Sequence, residues 1–197
     1  MIKQRDRDII NFLDNGAKAI SIRQASILFF NNSYETARHR LSILESRYNL
    51  LKSYTMKETG EKIYYKDKQI SYHDSLVVSF ISYIKSIDGE FIYNKFRPNY
   101  MNRKIQADLF SIFKLKGFKY YTILEVDLYH STPLSKMQIY EELYKSNEIQ
   151  SQNNGQFPII IISKALYNID LKYNSKNFNT IYTDKLFNNV DNFLSCL

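Results

Sequence analysis

The chain has a single cysteine, Cys196, among 197 residues, so no disulfide framework can hold it together. Its five glycines form no loop of the kind that cradles a phosphate. Its three histidines, His39, His73 and His130, stand in unrelated contexts, and no Ser-His-Asp or Cys-His arrangement is readable. No apolar run approaches the ~18–20 residues that a membrane-spanning helix needs; the longest, Phe157 to Ile162, is strand-sized. The opening residues, Met1-Ile2-Lys3-Gln4-Arg5-Asp6, are charged at once and lack the apolar stretch of an export signal. Together these absences predict a cytoplasmic protein with no membrane partner.

What is present is apolar material and positive charge. Hydrophobic residues make up 44% of the chain, enough for a packed core. The length suits one large domain or two small ones, at ~100–150 residues each. The net charge of +7 is uneven: residues 1–70 hold 13 Lys and Arg against 8 Asp and Glu, whereas residues 71–197 hold 14 against 12. A basic N-terminal third suits a polyanionic partner, because Lys and Arg displace condensed counterions from phosphates.

That third has an ordered pattern. Ile9, Ile10 and Leu13 fall at helical spacing over Asp6–Asp14, and Asn15-Gly16 supplies a stop. Ser21 and Gln24 form a capping-box pattern that starts a second helix, running to about Phe30 and turning Ala25, Leu28 and Phe29 inward. After the turn Asn31-Asn32-Ser33, a third helix over Tyr34–Arg47 buries Ala37, Leu41 and Leu44. Thr36, Arg38, His39 and Arg40 crowd its first half. Two strands, Leu50–Met56 and Lys62–Tyr65, flank the turn Lys57–Glu61. The order predicts a winged helix-turn-helix domain over residues 1–68 that binds double-stranded DNA. The third helix enters the major groove, and a wing bearing Lys57, Lys62 and Tyr64 lies along the backbone. The plainer alternative is a small packing module with a solvated charged face.

From residue 72 to 197 the pattern changes. A helix over Ser75–Ser86 is followed by a strand over Glu90–Arg97, then a long hairpin with arms Lys104–Leu115 and Lys119–Leu128. Next come a helix opened by Pro133, a buried strand over Phe157–Ser163, a weaker strand near Asn179–Tyr182 and a last helix over Asp184–Ser195. The expected fold class is therefore α+β, the second domain being a mixed α/β sheet with helices packed on it. Glu125 and Asp127 share a strand face, and Asp108 on the paired strand joins them. Such a carboxylate group needs a cation, basic side chains or water to screen it. It is either a solvated face paired with Lys104, Lys114 or Lys119, or a metal site.

Asp108, Glu125 and the strand order resemble the restriction-endonuclease-like fold, in which an Asp and the Glu of a Glu-x-Lys motif bind a divalent metal and the lysine helps activate the attacking water. The resemblance implies Mg²⁺ at Asp108 and Glu125. Asp127 stands where the lysine belongs, so an amine would have to come from Lys136 on the next helix. The whole chain is also similar, over about residues 3–165, to the replication-relaxation family of plasmid and mobile-element proteins, which join a winged helix to a degenerate nuclease-like domain. The likeness rests on Arg5-Asp6-Arg7-Asp8-Ile9-Ile10, Gln24, Arg40-Leu41-Ser42-Ile43-Leu44, Ala107-Asp108-Leu109, Leu124-Glu125-Val126-Asp127 and Lys136-Met137-Gln138-Ile139-Tyr140. It departs at Ile105-Gln106-Ala107, where a proline before the Asp is more typical.

The resemblance implies a DNA-binding protein of a plasmid, conjugative element or phage, acting in replication, DNA processing or transfer without cleavage and needing no cofactor to bind. The alternatives are a Mg²⁺-dependent nuclease or nickase using Asp108, Glu125, Asp127 and Lys136, and a transcriptional regulator whose second domain only oligomerises. The expected partners are double-stranded DNA, other replication or transfer proteins, and a second copy of the chain in a homodimer.

Overall fold

The computed structural model describes residues 1–128, 132–164 and 172–195. The chain is α+β and forms two compact units, Met1–Ser86 and Ile87–Leu197. Among the described residues no helix is long and apolar enough to cross a membrane. His130 and Cys196 lie outside them.

In the first unit, α1 (Gln4–Phe12) ends in a wide turn, Leu13–Ala17, where Gly16 takes φ 118° and turns the chain into β1 (Ala19–Ser21). The expected capping box starts α2 (Ile22–Phe29): Ser21 N donates to Gln24 Oε1 at 2.9 Å and Gln24 N to Ser21 Oγ at 3.2 Å. Asn31 and Asn32, both left-handed, make the turn to α3 (Tyr34–Ser46). Two strands follow, β2 (Lys52–Thr55) and β3 (Lys62–Tyr65). β1 adds a third that three residues of sequence were too few to signal, and the sheet order is β1-β3-β2, all antiparallel.

The boundary expected near residue 70 is corrected by α4 (Tyr72–Ser86), which belongs to the first unit. The cause is polar as well as apolar. Gln24 spends its carbonyl on the capping box and sends its buried Nε2 to Ser75 O and Ser79 Oγ, both at 3.0 Å. Tyr54 OH donates to Ile70 O at 2.7 Å, tying the connecting segment to the hairpin.

The second unit is a five-stranded mixed sheet of order β10-β9-β8-β7-β4. Its members are β4 (Glu90–Phe96), β7 (Leu109–Leu115), β8 (Phe118–Asp127), β9 (Ile159–Lys164) and β10 (Thr180–Asp184). β4, β7 and β8 run antiparallel; β8, β9 and β10 run parallel. The long first arm of the expected hairpin is broken: β6 (Ile105–Gln106) pairs with β5 (Asn99–Tyr100), and Asp108 sits in the gap before β7. Lys116 and Gly117, at φ 51° and 85°, form the tight turn from β7 to β8. α5 (Leu134–Ser146) starts one residue later than expected, with Pro133 extended at its cap. The last helix, α6, is only Val190–Ser195. Asp184 shortens it, because its carboxylate accepts the Leu186 and Asn188 amides and holds a turn there. Ile123, Ile160, Ile162, Met137, Tyr140 and Leu143 form the core between sheet and α5.

Candidate functional site

α3 is amphipathic in a useful way. Ala37, Leu41 and Leu44 are fully buried, which leaves Thr36, Arg38 and His39 exposed on the outer side. Thr36 Oγ1 lies 2.6 Å from Ser33 Oγ, and Arg38 pairs with Glu35 at 2.7 Å, a solvated i,i+3 contact that another anion can displace. Arg40 does something else. Its guanidinium forks onto the buried Asp6 carboxylate, with Nε 2.7 Å from Oδ1 and an Nη2–Oδ2 contact, and also donates to Met1 O at 3.1 Å. Burial alone would raise the Asp6 carboxyl, but the Arg40 bonds and the Lys3 N–H outweigh it and hold it below the usual range. Arg40 thus braces α3 against α1, and its expected place on the DNA-reading surface is withdrawn.

The hairpin divides the same way. Lys57 is exposed in the turn. Lys62 Nζ is 2.9 Å from Glu45 Oε2 and 4.9 Å from the Tyr64 ring centroid. Tyr64 is 1% exposed, so it is a core residue and not the groove contact expected of it. β3 is the central strand of its sheet, and Ile63 and Tyr64 are covered on opposite faces.

The acids of the second unit meet at the end of β8. Glu125, 2% exposed, accepts from Lys136 Nζ at 2.5 Å and from the Tyr140 hydroxyl. Asp108 Oδ2 accepts the Val126 N–H at 2.8 Å, and Asp108 N donates to Leu124 O at 3.2 Å, which anchors that aspartate beside the strand. Burial is the main reason that the Glu125 carboxyl is pushed up to about 7. Asp108 adds to the rise, while Lys136 and Tyr140 oppose it. Burial and the Glu125 charge likewise push the Tyr140 phenol well up. Asp127 turns to Thr132, accepting its N–H at 2.6 Å and contacting its hydroxyl.

The structure therefore brings Lys136 onto Glu125, with Asp108 near enough to be felt, and engages Asp127 separately. Among the described residues no three His, Cys, Asp or Glu side chains converge to hold a metal ion. Asp108 and Glu125 are the pair left for Mg²⁺, and both Glu125 oxygens already have protein donors. Two of the three lysines expected beside the acids are engaged elsewhere: Lys104 lies 3.6 Å from Glu142, and Lys119 stacks over Tyr121. Sequence reasoning missed Tyr140. Its signal was spacing, since it follows Lys136 by one helical turn and shares its face. No protein-family model, curated protein or solved structure matches the chain.

Proposed function

We propose that the first unit is a winged helix-turn-helix that binds double-stranded DNA, with α3 as its recognition helix and the β2–β3 hairpin as its wing. The observation that carries this reading is the outer side of α3, where Thr36, Arg38 and His39 are exposed while Ala37, Leu41 and Leu44 anchor the helix beneath them. Side chains at such positions reach base edges, and the element order matches that mode of docking. The basic charge of residues 1–70 adds sequence-independent attraction to phosphate. The protein acts in replication, processing or transfer of plasmid or mobile-element DNA. Its second unit is a nuclease-like scaffold of the restriction-endonuclease type that does not cleave.

Charge and pairing at the end of β8 oppose cleavage. Asp127 adds negative charge where a phosphate would approach, and the Lys136 amine is occupied by the Glu125 carboxyl at 2.5 Å. A metal-dependent nickase is the second reading. It is favoured by the same Lys136–Glu125 pair, whose amine would activate water if Mg²⁺ displaced it from the carboxylate.

Selection of bound duplexes from a random library, followed by fluorescence anisotropy, tests the first reading. Arg38→Ala should weaken binding to the selected site about tenfold or more if the arginine is bidentate to guanine. Unchanged affinity in both Arg38→Ala and His39→Ala would remove α3 from the interface. Plasmid nicking in Mg²⁺ or Mn²⁺ that disappears in Asp108→Ala and in Glu125→Ala would establish the enzyme instead.

A further inference from the structure

The β4 edge of the second unit carries a cavity that neither the α3 surface nor the acidic cluster uses. It measures about 90 Å³ and is walled by Tyr93 and Lys95 of β4, Tyr100 of β5, Phe110 of β7, and Glu148 and Asn153 from the segment after α5. One water needs ~10–15 Å³ of such space, so the cavity has room for a flat ring. Tyr93 stands edge-on to Phe110, 6.2 Å away at 61°, and keeps 48% of its surface exposed.

One polar feature marks the cavity as built for a ligand, and another lies beside it. Asn153 is 4% exposed, yet its Nδ2 has no hydrogen-bond partner among the described residues. Bare buried donors are uncommon, because each forfeits its bond to water without replacement. The other feature is the β5–β6 turn, where Met101, Asn102 and Arg103 all take left-handed φ, at 50°, 53° and 71°. Side chains make that conformation costly. The Glu148 carboxylate holds it by accepting the Met101 N–H, at 3.0 and 3.3 Å. The turn carries Arg103 and Lys104, both exposed, next to Tyr100 in the chain.

The chemistry narrows the occupant. A purely apolar ligand would leave the Asn153 donor bare. A simple anion would leave the aromatic walls unused. A flat heterocycle with a carbonyl on its edge and a phosphate beside it matches the aromatic walls, the Asn153 donor and Lys95, while Glu148 is already occupied by the Met101 N–H. We propose that this cavity takes one unpaired nucleobase of a DNA strand. The ring lies against Tyr93 and Phe110, a base carbonyl accepts from Asn153 Nδ2, and the adjoining phosphate meets Lys95. The inference rests on the reading of this chain as a DNA-binding protein, but on a different unit and a different form of DNA.

The test uses the full chain and three labelled probes in anisotropy titrations: oligothymidylate, an oligomer of equal length and charge whose sugars lack bases, and a duplex. Oligothymidylate should bind at least about fivefold more tightly than the baseless strand, the least that stacking one base provides. Tyr93→Ala, at an exposed position, should erase that preference and leave duplex affinity unchanged. Asn153→Leu should reduce it as well, with circular dichroism reporting whether that variant folds. Equal affinity for the two single strands overturns the proposal, as does a preference that survives Tyr93→Ala. Thymidine monophosphate displacing the strand at the strand's own Kd would assign the cavity to a free nucleotide and overturn it too. Loss of duplex binding with the base preference intact would count against the α3 reading alone.

Discussion

Replacing Arg40 by alanine separates bracing from DNA contact. The substitution takes the guanidinium from a carboxylate that is 1% exposed and leaves Asp6 with the Lys3 N–H. Breaking a buried ion pair from one side costs about 3–5 kcal/mol, because the other charge stays behind. The Arg40 side chain keeps 16% of its surface in water, so the lower end, about 3 kcal/mol, is the better estimate for this pair. In a domain of this size that lowers Tm by roughly 10–20 °C. The pH dependence carries a signature. In the wild type Asp6 sits below its usual range, so its contribution is present above the unfolded pKa near ~3.9 and fades as pH falls through the lower folded value. In Arg40→Ala burial outweighs what the Lys3 N–H and the Lys3 charge still supply to Asp6, protonation relieves the burial cost, and the gap between variant and wild type should narrow toward acid. Urea unfolding at several pH values measures this, and a cycle with Asp6→Asn isolates the pair. A variant that melts like the wild type yet loses specific DNA binding well below its Tm would refute the brace and return Arg40 to the reading surface.

Two further outcomes follow from the geometry. Replacing Lys57 and Lys62 together should weaken binding to all duplexes alike. The salt dependence should flatten by about one charge for Lys57 and by less for Lys62, whose amine Glu45 already holds; a changed sequence preference with an intact salt slope would rule out backbone tracking by the hairpin. Glu125 titrates near 7 when folded against about 4.5 when unfolded, so its stabilising protonated form is fully present below pH 4.5 and is lost as pH rises through 7. That difference is worth roughly 3 kcal/mol. The urea midpoint of the wild type should fall across this window, that of Glu125→Gln should be nearly flat, and a flat wild-type profile would contradict the burial argument.

Much of the architecture was legible in residue order. Apolar spacing marked the helices, the Ser21–Gln24 box placed α2, and the continuous apolar run announced the buried β9. What escaped notice depended on facing and pairing. Arg38 and Arg40 look alike along the chain, but two residues apart on a helix they cannot share a face; one reaches solvent and the other Asp6. Tyr64 reads as the outward partner of Ile63, but both faces of β3 are covered at that point. The break at Asp108 was hidden because Ile105 to Leu115 is apolar enough for one strand, while the β5–β6 excursion is decided by a distant carboxylate, Glu148. The Glu125–Lys136 contact was anticipated only through the resemblance, since nothing local says that an amine eleven residues on will reach back to the strand.

The attachment of α4 through Gln24 bears on how portable the first unit is. One side chain serves two structures: its carbonyl starts α2, and its amide is satisfied only by a helix that begins about fifty residues later in the chain. A segment moved into another protein, or recombined in nature, at the apparent end of the hairpin would carry α3 intact but strand that amide in a newly opened apolar surface. The smallest portion that can be exchanged as a unit therefore ends at Ser86, and α4 travels with α3.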